Sequence, residues 1–337
     1  MAKRSITEWK HGARRAATAA AMVAGGSALA TLGVAYYVAY TLTAPKRPGP
    51  MDAYVMTPFE TGAEYEEVAF TATRGGHTLH GWWFPRPETN QVIVGCHGFR
   101  GGKSELIGIS TALWRAGFNV LIFDFHGHGA DIGSPVTLGY QELHDFYSAL
   151  DYVGQRVPEA RIGVIGFSMG ASVAIIGAAR RSEVCCIVAD SPFATHTDVV
   201  AHNVARVLHV SGHAVARAAD IFLARRAGYR GGDVAPVREV AAIAPRPVLL
   251  IHGAEDATVP VEHAHRVYEA AHEPKELWIA DGAPHCGAYF ADRPAYCQRV
   301  AEFFTSHLAS QAHADIPTAS PGNATNMLPS SESERAG

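Results

Sequence analysis

Gly166-Phe167-Ser168-Met169-Gly170 follows directly on the apolar run Arg161-Ile162-Gly163-Val164-Ile165 and opens a helix-like stretch that continues to Arg181. A strand that turns sharply into a helix around an exposed serine needs this arrangement, because the glycines let backbones pack where a Cβ would clash. The following helix also points its positive N-terminal end at the serine. The stretch therefore predicts a strand, a tight elbow and a helix, with Ser168 as a nucleophile.

A serine hydroxyl is a poor nucleophile near neutral pH, so it needs a base, and the base needs an orienting acid. In an open parallel sheet these groups converge beyond the carboxyl ends of the strands, in the chain order serine, acid, histidine. Asp256 lies in the loop after the apolar strand predicted at 247–252, and His285 lies in the loop after the last predicted strand. We therefore predict a triad of Ser168, Asp256 and His285.

The acid has two alternatives among the nearby carboxylates. Glu255 is adjacent to Asp256 in the same loop, and Asp190 ends the preceding strand. Asp256 is favoured because it sits where a carboxylate could reach across to an imidazole, although an aspartate before a helix can also be a simple loop residue.

The predicted oxyanion hole consists of two backbone N–H groups. One belongs to Met169, the residue after the nucleophile, and the other to Phe99, in the loop after the strand predicted at 91–96. His97 resembles a catalytic residue but is better explained as shaping the turn. The same loop nearly matches a phosphate-binding P-loop, but His97 stands where that pattern requires its first glycine, so phosphate binding is not indicated.

Strands and helices alternate over most of the chain, which predicts an α/β fold with a doubly wound, mostly parallel sheet. Two antiparallel strands at 67–73 and 78–84 precede it. Further strands are predicted at 91–96, 119–125, 161–166, 183–189, 247–252 and 276–280, and helices at 104–116, 138–155, 260–271 and 293–308. A helical excursion between Ala194 and about Val240 predicts a small cap. Its apolar stripe is explained either by packing of an amphipathic helix pair or by an acyl-binding wall that takes substrates from lipid.

The N-terminal segment carries no charged residue from Ala16 to Pro45, which exceeds the roughly 20 apolar residues that cross a bilayer. Five basic residues precede it and only Lys46 and Arg47 follow closely, so the positive-inside bias places the N-terminus in the cytoplasm and the catalytic domain in the periplasm or outside the cell. Ala28-Leu29-Ala30 also resembles a signal cleavage site, but the apolar run continues well past it. A buried core helix is a further alternative, but an uncleaved anchor in contact with membrane lipid is favoured.

Composition restricts the function classes. Hydrophobic residues make up 48% of the 337 residues, which is ample for a large core, and a net charge of −4 gives no reason to expect nucleic acid as a partner. The five cysteines show no Cys-x-x-Cys spacing, so neither a zinc site nor a disulfide framework is indicated. We expect no metal.

Several further motifs accompany the elbow, and through them the chain resembles the α/β-hydrolases over roughly Glu67 to His307. These motifs are His97-Gly98, Asp124–Gly129, Thr137–Tyr140 with Glu142 and Asp145, Asp190–Phe193 and Pro247–Gly253. Together they are similar to bacterial membrane-anchored hydrolases of the serine-aminopeptidase-like or dienelactone-hydrolase-like type. The resemblance implies hydrolysis of a small-molecule ester, thioester or amide through an acyl-enzyme, without a cofactor. His126 departs from the arginine common at that position, and the pattern assigns no purpose to Cys286.

The expected function is that of a serine hydrolase acting on carboxylic esters or thioesters. An amidase or aminopeptidase with the same triad is an alternative, and a non-catalytic membrane-tethered scaffold is another. The expected organisation is a cytoplasmic basic segment (1–15), a transmembrane anchor (16–44), a linker (45–64), an α/β-hydrolase domain (65–309) with its cap at 194–240, and a disordered tail (310–337).

Overall fold

A computed structural model describes residues 2–46, 56–129, 131 and 133–309, without the side chains of residues 2–16, 19, 23 and 24. The predicted tail at 310–337 and residues 47–55 of the predicted linker lie outside the described residues.

Eight strands form one mixed sheet in the order β1-β2-β4-β3-β5-β6-β7-β8. In chain order they are β1 (Glu66–Thr71), β2 (Thr78–Phe84), β3 (Gln91–Cys96), β4 (Asn119–Phe123), β5 (Arg161–Phe167), β6 (Val184–Asp190), β7 (Val248–Gly253) and β8 (Lys275–Ala280). The strand β2 pairs antiparallel with β1 and β4, and all other neighbours are parallel. The prediction of a mostly parallel sheet with an antiparallel start is therefore confirmed.

The helices connect these strands and cover both faces of the sheet. In chain order they are α1 (Ala2–Thr43), α2 (Ile107–Arg115), α3 (Glu142–Arg156), α4 (Met169–Arg180), α5 (His196–Leu208), α6 (Gly212–Ala227), α7 (Pro236–Glu239), α8 (Glu262–Ala270), α9 (Ala288–Ala291) and α10 (Arg293–Leu308). Apolar side chains of α2 and α10 fill one core layer, and those of α3, α4 and α8 fill the other. Both faces are covered, which explains why the parallel strands are almost continuously apolar.

One predicted helix begins later than the sequence pattern indicated. The pattern placed its start at Leu138, whereas α3 starts at Glu142. The preceding residues instead wrap around the Glu142 carboxylate, which accepts hydrogen bonds from the N–H groups of Thr137 (2.8 Å) and Gly139 (3.0 Å). A helical backbone could not bring both donors to that carboxylate, so this buried interaction delays the helix.

The cap consists mainly of α5 and α6, which follow β6. The two helices approach closely, because a Cβ built on Gly212 would lie 1.9 Å from the carbonyl oxygen of Ala201. The C-terminal part of α1 packs against α6, and Ala35 and Ala39 are fully buried there. The N-terminal helix is thus part of the same packed body as the cap.

Within α1, Ala20–Thr43 is long and apolar enough to cross a membrane. Its described side chains before residue 34 are mostly exposed. Among its last ten residues, Ala35, Val38, Ala39 and Thr43 are buried against the folded domain, whereas the three tyrosines are exposed. Length and composition of this helix are consistent with an anchor or with a signal sequence.

The elbow glycines define how closely β5, α4 and β3 pack. A Cβ built on Gly166 would lie 2.4 Å from the Gly170 carbonyl oxygen, and one on Gly170 would lie 2.3 Å from the Cys96 carbonyl oxygen. These neighbours are backbone atoms, which cannot move aside as a flexible side chain can. Glycine is therefore required at both positions.

We expect Gly170→Ala to lower the free energy of unfolding by about 1–3 kcal/mol or more, because the added methyl group overlaps the backbone of β3. Gly154→Ala is a matched control: this glycine lies in α3 with open space around its Cβ position, so the change should stabilise the protein by up to about 1 kcal/mol. Denaturant unfolding of both variants and of the wild type measures these changes in the free energy of unfolding. Equal stability of the two variants would contradict the packing argument.

Candidate active site

Ser168 lies at the strained apex between β5 and α4. Its backbone has a φ of 54° and a ψ of −115°, outside the regions that a side-chain-bearing residue prefers. The neighbouring strand holds it there, because the Ser168 N–H donates to the carbonyl of Asp190 at 2.8 Å. The side chain is partly exposed at the carboxyl-end rim of the sheet.

The structure brings the three predicted triad residues into one chain of hydrogen bonds. The Ser168 hydroxyl lies 2.9 Å from Nε2 of His285, and Nδ1 of His285 lies 2.6 Å from Oδ2 of Asp256. A carboxylate can only accept, so Nδ1 carries the proton and Nε2 is free to accept from the serine. This tautomer is the one that a general base beside a serine requires.

Asp256 is held as a carboxylate by the donors around it. Its Oδ1 accepts from the N–H groups of Thr258 and Val259, and Nε2 of His252 lies 3.3 Å from Oδ2. Burial by itself raises the pKa of Asp256, but the hydrogen bonds from His252 and His285 outweigh burial and hold that pKa well below its usual range. The residue therefore stays ionised and can stabilise a charged imidazolium.

The two alternative acids take no part in this arrangement. Glu255 is exposed. Asp190 is fully buried and accepts hydrogen bonds from the hydroxyls of Ser191 (2.8 Å) and Tyr296 (2.9 Å). Burial raises its pKa to about 6, and its partners are these hydroxyls and not His285.

The Asp190–Ser191 pair explains the position of Cys286, to which the sequence assigned no purpose. The Cys286 N–H donates to the Ser191 hydroxyl at 3.2 Å, and the Cys286 backbone has a φ of 51°. This contact secures the loop immediately after His285. Burial raises the pKa of the Cys286 thiol well above its usual value, so the thiolate is not populated near neutral pH.

The loop after β3 carries the predicted oxyanion donor Phe99. His97, fully buried, braces this loop: the Phe125 N–H donates to its Nε2 (3.1 Å), and its Nδ1 donates to the Gly98 carbonyl (2.7 Å). His97 thus shapes the turn, as expected, and makes no contact with the Ser168 hydroxyl. The Met169 N–H opens α4, so it has no acceptor within its own helix.

Ser168 lies between two cavities. The first, of about 370 Å³, is walled by the cap and by α1. The second, of about 580 Å³, lies on the other side and includes His285, Cys286, Glu105 and Tyr289 in its lining. Ser168 lines both cavities and so lies where they meet.

The cavities contain residues that the sequence analysis did not single out. Tyr37, Val38, Thr41 and Leu42 of α1 line the first cavity, and Glu105 lines the second. The sequence predicts that the apolar residues at 37–42 face lipid. No local pattern distinguishes a helix face covered by lipid from one covered by protein. Glu105 could have been noticed only as a carboxylate close after the predicted oxyanion loop.

Comparison with known proteins agrees with this geometry. Residues 87–222 match the family described as "Serine aminopeptidase, S33". The chain is 30% identical over 249 residues to the uncharacterized protein YqkD of Bacillus subtilis, which covers 73% of this chain and 81% of YqkD. It belongs to the α/β-hydrolase superfamily, in this S33-like family. The uncharacterized protein YfhR of Escherichia coli K12 is also 30% identical, over 73% of this chain and 82% of YfhR.

Among solved structures, the chain is similar to the esterase Pf2001 of Pyrococcus furiosus. The TM-score is 0.63 with 28% identity, over 79% of this chain and 99% of the esterase. The similarity extends over most of this chain and almost all of the esterase, so it concerns the fold as a whole. The expected family and fold are therefore confirmed.

Glu142 holds the loop that carries Leu138 into the wall of the first cavity. The Glu142 carboxylate is buried, and it also accepts from the Thr137 hydroxyl. Burial raises the pKa of Glu142 to about 7, although the hydrogen bonds from Thr137 act in the opposite direction. In the unfolded chain the same carboxyl group has an ordinary pKa near 4.5.

This difference predicts a pH dependence of stability. Between pH 4.5 and 7 the folded state keeps a proton on Glu142 that the unfolded state has lost, so the free energy of unfolding falls as pH rises, by up to about 3 kcal/mol. The variant Glu142→Gln lacks this proton and should lack this part of the slope. Denaturant unfolding of both proteins from pH 4.5 to 8 measures it, and identical slopes would contradict the prediction.

Proposed function

We propose that this protein is a serine hydrolase that cleaves carboxylic esters or thioesters through an acyl-enzyme. The observation that carries the proposal is the 2.9 Å contact between the Ser168 hydroxyl and His285 Nε2, backed by the Asp256 carboxylate. Ser168 Oγ attacks the acyl carbonyl while His285 takes its proton. His285 then returns that proton to the leaving oxygen or sulfur, and a water molecule deprotonated by His285 releases the acid.

The backbone N–H groups of Phe99 and Met169 are proposed to stabilise the oxyanion. The negative charge develops on the former carbonyl oxygen, next to the elbow, where α4 begins. The α4 dipole adds to this stabilisation, because its positive end points at the reacting centre. Asp256 stays charged in the same step and stabilises the imidazolium of His285.

The amidase or aminopeptidase alternative is supported by the description of the matched family. An aminopeptidase must bind the ammonium group of its substrate on the acyl side, and a buried ammonium needs an acidic partner. Among the described residues that line the first cavity there is no charged side chain. This lining, together with the similarity to a known esterase, favours an ester or thioester with an uncharged acyl group.

We also propose that α1 anchors the enzyme in a membrane with the catalytic domain on the far side from the cytoplasm. Burial of α1 against the folded domain begins at Ala35, and Ala39 and Thr43 are buried as well, so we assign residues 16–34 to the bilayer. A helix of that length spans about 28 Å, which is close to the thickness of the hydrocarbon core. The anchor proposed from the sequence at 16–44 is thereby shortened at its C-terminal end.

Serine-dependent ester hydrolysis tests the proposed function. The wild type should hydrolyse p-nitrophenyl esters between acetate and palmitate and react with a fluorophosphonate probe. Ser168→Ala should abolish labelling and lower kcat/KM by at least about 10⁴-fold, because no other hydroxyl occupies the elbow. Absence of turnover and of labelling in the folded wild type would favour the scaffold alternative.

The acid is tested in the same assay. Asp256→Asn should lower kcat by about 10³–10⁴-fold, because the amide no longer holds His285 in the reactive tautomer. Glu255→Gln, one position away and exposed, is the matched control and should behave as the wild type. If the Glu255 variant loses activity and the Asp256 variant retains it, the assignment of the acid is wrong.

Topology is tested with reporter fusions after Leu308. Alkaline phosphatase, which requires an oxidising compartment, should be active there, since the basic segment at 1–15 retains the N-terminus in the cytoplasm. A fluorescent protein that matures only in the cytoplasm should remain dark at the same junction. The reverse pattern would overturn the proposed orientation.

A further inference from the structure

The C-terminal part of α1 is docked on the cap through apolar contacts. Ala35 and Ala39 are fully buried, and Val38 is 8% exposed. The ring of Tyr36 lies edge-on to Phe222 of α6, with centroids 5.5 Å apart. Residues that faced only lipid would not be covered by the protein in this way.

Two arginines add polar contacts at the end of the helix. Arg226 of α6 donates to the Thr43 hydroxyl at 2.8 Å. Arg100 donates to the carbonyl oxygens of Thr41 (2.5 Å) and Ala44 (3.3 Å), which are acceptors that a helix C-terminus leaves without intrahelical partners. Since Arg100 directly follows Phe99, the end of α1 is joined to the loop that carries the proposed oxyanion donor.

The docked segment contributes a wall to the first cavity. Tyr37, Val38, Thr41 and Leu42 line it, and their spacing places them on one side of the helix. The facing wall comes from α5. Its lining residues are Val199, Val200, Asn203, Val204, Val207 and Leu208. The N-terminal helix and the cap thus enclose one apolar space that ends at Ser168.

The position of His285 assigns this space to one portion of the substrate. In the proposed reaction His285 must reach the leaving oxygen or sulfur to protonate it. His285 lines the second cavity and is absent from the described lining of the first. The leaving group therefore occupies the second cavity, and the acyl chain occupies the first.

The mouth of the first cavity is itself apolar. Tyr37, Val207 and Leu208 line the cavity and are 64%, 62% and 43% exposed. Towards the N-terminus α1 continues with exposed apolar residues such as Leu29 and Leu32. The cavity therefore opens beside the C-terminal end of an apolar helix. An acyl chain that passes from a lipid phase into this opening exposes little apolar surface to water.

We propose that residues 37–42 of α1 form part of the acyl-binding site and select the acyl chain length of the substrate. The substrates are esters or thioesters whose apolar acyl chains extend into the first cavity. This inference rests on the proposed function. It assigns to the N-terminal helix a role in specificity that is separate from anchoring.

Substitutions at Leu42 test the inference in the detergent-solubilised full-length enzyme, with p-nitrophenyl esters from acetate to palmitate. Leu42→Trp fills the cavity and should lower the ratio of kcat/KM for palmitate to that for acetate by about tenfold or more. Leu42→Ala enlarges the cavity and should move the optimum by about two carbons towards longer chains. Leu32→Trp and Leu32→Ala make the same changes on exposed α1 surface and should leave the profile as in the wild type.

The outcomes separate this inference from the proposed function. Opposite shifts at Leu42 with no shift at Leu32 support it. A serine-dependent esterase whose profile is the same in all four variants overturns it and leaves the proposed function intact. If Leu42→Trp is inactive on every ester, Leu42→Ala decides: a shift to longer chains supports the inference, and an unchanged optimum overturns it. Absence of any Ser168-dependent hydrolysis in the wild type instead refutes the proposed function.

Discussion

The close approach of three backbones at the elbow is the constraint on which the rest of the site depends. Gly166 and Gly170 let β5, α4 and the end of β3 meet at distances that exclude any Cβ. Only in that geometry does the chain turn sharply enough to hold Ser168 at a positive φ. Ser168 adopts this strained conformation at the point where its side chain projects from the sheet, and the packed layers around it maintain that conformation.

The remaining site residues reach Ser168 because parallel strands end at one rim of the sheet. Asp256 follows β7 and His285 follows β8, and the two loops are secured separately. Backbone donors and His252 surround the Asp256 carboxylate, while the buried Ser191 hydroxyl accepts from the backbone directly after His285. The hydrogen-bonding groups are therefore already oriented in the protein without a substrate, which would lower the reorganisation that the proposed reaction requires.

The N-terminal helix divides into two parts with different surroundings. The described side chains from residue 17 to residue 33 are mostly exposed, whereas one side of the last turns packs on α6 and on the loop that carries Phe99. This arrangement relates the proposed anchor to the catalytic centre, because the helix that would enter a bilayer ends at the mouth of an apolar cavity. It also means that residues near Tyr37 are constrained by protein packing and not by hydropathy alone.

The sequence by itself predicted the mostly parallel sheet, the elbow and the three candidate residues at its rim. Each depends on local patterns: apolar runs, flanking glycines, and polar residues directly after strands. The sequence predicted too early a start for α3. The N–H groups of Thr137 and Gly139 donate to the buried Glu142 carboxylate instead of continuing a helix, and this burial is a property of the tertiary structure. The sequence could not place Cys286 or the wall formed by Leu42. Only the tertiary structure decided these, because an apolar helix face has the same composition whether lipid or protein covers it, and contacts between distant segments leave no periodic signal in the chain.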